Sequence, residues 1–133
     1  MIKQDGLVAL MVVVSAADGN MTDAELAVMT SLVRTLPVFE GYDLENMREA
    51  AEDCASYLER ENGLQELIDE VKELLPPKLR LTAYSLACDV AAADGALQDE
   101  ELEVLEILRR RLDIERLYAA AIEKATAARF ARL

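Results

Sequence analysis

Histidine is absent from this 133-residue chain. Its absence removes the side chain that most often acts as a general base near neutral pH and the commonest nitrogen ligand for transition metals. Any metal site must then be built from oxygen. Cysteine occurs only at Cys54 and Cys88, far apart and with no CxxC or other zinc spacing, so the two read as buried thiols in a reducing cytoplasm. Glycine (5), proline (3) and aromatic residues (5%) are scarce while hydrophobic residues reach 53%. With many Ala, Leu and Glu, that balance favours an all-α protein over a sheet. No long apolar run is present: the stretch Leu7 to Ala17 is too short to cross a bilayer and lacks the charged start and cleavage site of a signal peptide. A cytoplasmic location is expected.

Positive charge is also in short supply, with 14 Lys and Arg against 26 Asp and Glu and a net charge of −12. Phosphate binding depends on Lys and Arg, so nucleic acid and anionic membranes are poor partners. Cations and basic proteins are the partners such a surface favours. No Gly-rich phosphate loop, nucleophile elbow or other enzyme signature is found, which makes an enzyme the least favoured class. The length suits one domain with a sizeable core.

What the chain does have is a phrase said twice. Ala16-Ala17-Asp18-Gly19-Asn20-Met21-Thr22-Asp23-Ala24-Glu25-Leu26 recurs as Ala92-Ala93-Asp94-Gly95-Ala96-Leu97-Gln98-Asp99-Glu100-Glu101-Leu102 at one constant offset. The match continues through Val28/Val104, Leu32/Leu108, Arg34/Arg110 and Leu36/Leu112. The pattern points to an internal duplication with a pseudo-twofold relation between its halves.

Each copy reads as a helix, a turn at Asp-Gly and a second helix. Gly6 to Ala17 is apolar nearly all round, the mark of a helix buried on every side, and Pro77 to Ala93 is its counterpart. Gly19 and Gly95 suit the left-handed conformation that closes a helix. The second helix of the first copy places Leu26, Met29, Val33 and Leu36 on one stripe. Leu102, Leu105 and Leu112 repeat it, with Arg109 where Val33 stood. Asp43 is a fair N-cap for a helix carrying Leu44, Met47, Ala51, Cys54 and Leu58, and Leu64 to Leu75 outlines a fourth helix ended by Pro76-Pro77. Asp113 is expected to cap a last helix carrying Leu117, Ala121, Ile122 and Ala125. The expected fold is a bundle of about seven helices in one domain over 1–133, with halves of about 1–62 and 77–133 joined by a helix over about 63–75.

The acids of the repeated phrase resemble the latter half of an EF-hand calcium loop, in which an Asp-Gly is followed by an apolar residue and a closing Glu. The first half of such a loop is missing in both copies, since Val14, Ala16, Val90 and Ala92 stand where the first ligands belong. Thr22 and Glu25 form a capping box that accounts for Glu25 locally. Gln98 is a poor N-cap, so the same account does not extend to Glu101. Asp18 and Asp94 each sit at the carboxyl end of a helix, where the dipole disfavours negative charge. Each needs a partner: the next helix's amino end, a basic side chain such as Arg34 or Arg110, or a cation. Asp23, Asp99 and Glu100 read as solvated first-turn acids, and Arg109-Arg110-Arg111 as the basic end of a helix.

The paired Ala-Ala-Asp-Gly motifs, each preceded by an apolar helix and each with Glu seven places after the Asp, resemble the TerB-like family of tellurite-resistance proteins over nearly the whole chain. The resemblance implies a compact all-helical domain with approximate internal twofold symmetry and a divalent-metal site at the two motifs. Carried onto this sequence, the metal candidates are Asp18, Glu25, Asp94 and Glu101. It implies no catalytic residues, and a setting in tellurite resistance or stress response. The leading expectation is a non-enzymatic domain binding Ca2+ or Mg2+. An acidic adaptor docking a basic protein without metal is the alternative, and a carboxylate-based hydrolase a remote one.

Overall fold

A computed structural model of the chain describes residues 1–17, 19, 21–95 and 99–133, and these form α-helices with no strand. Seven α-helices are described: α1 (Lys3–Ser15), α2 (Asp23–Thr35), α3 (Leu44–Leu58), α4 (Gly63–Leu74), α5 (Pro77–Ala91), α6 (Asp99–Arg111) and α7 (Arg116–Arg129). A short 3-10 turn, Pro37–Phe39, follows α2. None of the described helices is long and apolar enough to cross a membrane.

α1 is the centre because it has no polar face to give to water. Every residue from Gly6 to Ser15 is buried. Its large apolar side chains are each worth about 1.5–3 kcal/mol of transfer free energy, so this helix anchors the core. α5 lies against it, buried from Ala83 and Tyr84 through Leu86 to Ala91. α3, α4 and α6 also pack on α1, while α2, α6 and α7 pack on α5.

The helix boundaries follow their local chemistry. Pro77 occupies the first turn of α5, where its missing N–H costs nothing. Asp43 caps α3 and accepts from the Asn46 N–H at 2.9 Å, while Asn46 reciprocates to the Asp43 N–H at 3.1 Å. The recurrence of the sequence carries over into backbone geometry. Ala16 donates to the Val12 carbonyl, Ala17 to Val14 and Gly19 to Ala16, and Ala92, Ala93 and Gly95 make the corresponding bonds to Cys88, Val90 and Ala92. Gly19 and Gly95 both have positive φ, at 90° and 79°.

Three details depart from the sequence expectation. Leu26 and Leu102 are 45% and 48% exposed, and the buried faces of their helices are instead Glu25, Met29 and Val33 on α2 and Glu101, Val104, Leu105 and Leu108 on α6. Successive helical residues point about 100° apart, so burying the glutamate turns the leucine after it outward. Asp113 does not cap α7, which begins three residues later; it has positive φ and pairs with Lys72 of α4. Leu117 is 73% exposed, and α7 buries Ala119 and Thr126 in its place.

Candidate functional site

The site is built where two helix ends meet two helix beginnings. α1 and α5 end at Ser15 and Ala91, with Ala16 and Ala92 as their C-caps, and after the Gly19 and Gly95 turns the chain enters α2 and α6. Thr22 is the N-cap of α2. Its hydroxyl oxygen accepts from the Glu25 N–H at 3.1 Å, and Glu25 Oε1 accepts from the Thr22 N–H at 2.8 Å. This is the reciprocal capping box that the sequence indicates.

The same Thr22 hydroxyl donates to Asp94 Oδ1 at 3.0 Å, 72 residues away. A hydrogen bond therefore joins the first motif to the second. Asp94 is exposed, whereas Glu25 and Glu101 are each 2% exposed at corresponding positions near the starts of α2 and α6. Asp18 and Gln98 lie outside the described residues. Among the described residues, no group of three or more Asp, Glu or Cys side chains is arranged to hold a metal ion.

Arg109, Arg110 and Arg111 form the basic last turn of α6, as the sequence indicates, and Arg110 is engaged within its own helix. Arg110 pairs with Glu106 at 2.8 Å, and Arg109 with the same carboxylate at 2.6 Å. The Arg109 hydrogen bonds, supplemented by Arg110, hold the Glu106 carboxyl down at about 2. Arg111 reaches Asp69 at 2.8 Å. Each arginine of the cluster is thus paired within the protein, Arg109 and Arg110 sharing one carboxylate. Arg132 is the basic side chain found at the second motif: its guanidinium lies 3.2 Å from where a Cβ on Gly95 would stand. Nothing in the sequence pattern marked a residue so near the carboxyl end for that place.

A second polar feature lies where α7 packs on α5. Asp89 is buried beneath α7, where its Oδ1 accepts from the Thr126 hydroxyl at 3.1 Å and pairs with Arg129. Tyr84 donates to Glu123 at 2.6 Å on the same interface. A lone Asp in the apolar run of α5 was the available signal, and its partners on α7 could not be assigned from spacing.

A comparison with protein-family models matches residues 4–124 to tellurite resistance protein TerB. The chain belongs to the TerB family. No curated protein and no solved structure matches it. For this TerB-family domain, the all-helical fold expected from the resemblance is the fold observed. The donors placed at the junction are carboxylate and hydroxyl oxygens, which suit a hard cation such as calcium or magnesium better than a soft one. One oxygen of Glu25 is already committed to the cap of α2. Asp94, at the surface of the junction, is the more accessible ligand candidate.

Proposed function

We propose that this TerB-family domain is a non-enzymatic binding module that takes a hard divalent cation, calcium in the first instance, at the junction of its two Asp-Gly motifs. The ligand candidates are Asp18, Glu25, Asp94 and Glu101, and the setting is tellurite resistance or a related stress response. The observation that carries this reading is the Thr22–Asp94 hydrogen bond, which brings the two motifs to one place. Two glutamates of equal burial, Glu25 and Glu101, add to it. Carboxylates are the donors a hard cation prefers, and a cation would offset the unfavourable position of Asp94 at the end of α5.

The test is isothermal calorimetry with calcium and with magnesium on the wild-type chain and on a variant combining Asp18→Asn with Asp94→Asn. The expected result is a saturable heat in wild type that the double variant loses. No heat above buffer at millimolar ion would sink the proposal.

A further inference from the structure

We infer that the groove between α1 and α3 is a docking site for a basic amphipathic segment of a partner protein, one lysine or arginine laying its aliphatic stem along the groove floor. The inference is independent of the cation reading, because the groove involves neither motif. It has a volume of about 310 Å³. Its floor is apolar and buried, formed by Ala9, Ala50, Cys54 and Leu67. Its rim is acidic, carrying Asp5, Glu49 and Asp53.

Two of those acids are poorly served by the protein itself. Glu49 and Asp53 stand four apart on α3, a spacing at which like charges repel. Both are exposed, and neither belongs to an ion pair among the described residues. Arg48, the basic residue beside them, is held by Glu45 and Glu52. Asp5 is occupied by the Tyr42 hydroxyl at 2.7 Å and the Ile2 N–H at 3.0 Å, so it adds negative potential without moving.

The surroundings extend the same chemistry. From Asp43 to Leu75, eleven acids stand against three bases, a net −8 out of the chain's −12. A field of one sign concentrated on the α3–α4 hairpin raises the encounter rate of a basic partner. The apolar floor then supplies what charge alone does not: a place where a methylene stem leaves water while its cationic head meets Glu49 and Asp53. That combination selects a long cationic side chain on an amphipathic helix over a simple ion.

The probe is a fluorescein-labelled Leu/Lys amphipathic helix peptide, followed by anisotropy with the full chain. The variants are Glu49→Gln with Asp53→Asn, and, as a control of equal charge change on the same hairpin, Glu59→Gln with Glu61→Gln. The groove variant is expected to weaken binding about tenfold and the control less than about threefold. Equal weakening of the Leu/Lys peptide by both variants, or no binding to wild type, overturns the inference.

Discussion

Thr22 and Asp94 are tied by a 3.0 Å hydrogen bond between a hydroxyl that caps α2 and a carboxylate at the end of α5. The Thr22 oxygen accepts from Glu25 while its proton goes to Asp94. One side chain therefore serves a local cap and a long-range tie. Thr22→Ala removes both and is expected to lower stability by about 1–2 kcal/mol, with Thr22→Ser retaining most of it. Asp94→Asn alone should cost less. A double-mutant cycle between Thr22→Ala and Asp94→Ala, read by urea unfolding, should show coupling of about 0.5–1 kcal/mol. Strict additivity would mean the bond contributes nothing.

Gly19 and Gly95 share positive φ but differ in surroundings. A Cβ at Gly19 meets nothing within 4 Å, whereas one at Gly95 meets the Arg132 guanidinium at 3.2 Å. Gly19→Ala is expected to cost about 1 kcal/mol from backbone strain, and Gly95→Ala more than that until Arg132→Ala is added. Thermal melts of the single and double variants check the order. Equal costs for the two glycine variants would show that Arg132 yields freely.

Burial pushes both thiols up: Cys54 and Cys88 stand at about 12 against an ordinary 9.0. Both should resist iodoacetamide in the native chain and react on unfolding. A thiol raised in the folded state favours folding fully below the unfolded value and loses that contribution as pH climbs towards the folded one. Stability should therefore fall between about pH 9 and 12, by up to about 1.4 kcal/mol per pH unit for each thiol. Urea midpoints measured across that range test the sign, and Cys54→Ala should flatten the slope.

Asp89 holds α7 to α5 through Thr126 and Arg129. Removing Arg129 leaves a buried carboxylate with one partner fewer. Arg129→Ala is expected to cost about 1–3 kcal/mol, discounted because its own side chain is half-exposed, and Asp89→Asn with Arg129→Ala should cost less than the sum of the two single changes. Additive losses in denaturant unfolding would show the pair to be uncoupled.

Much of this architecture was written locally. All-round apolarity marked α1, Pro77 and Asp43 marked helix starts, and Thr22 with Glu25 spelled out the capping box. What escaped were long-range choices. The stripe on α2 could be drawn through Leu26 or through Glu25, and only the packing of neighbouring helices decided for Glu25. Asp113 looked like a cap until Lys72, 41 residues earlier, claimed it. At the candidate site, spacing identified the acids, but no local pattern could indicate that Thr22 would reach Asp94 or that Arg132 would come to rest on Gly95.

The most direct test of a cation at the motif junction is a crystal of the wild-type chain soaked in millimolar calcium. The account predicts a density peak between the two motifs with carboxylate oxygens, including one from Asp94, at about 2.3–2.6 Å. A well-ordered junction with no such peak, and with the Thr22–Asp94 bond intact, would contradict it.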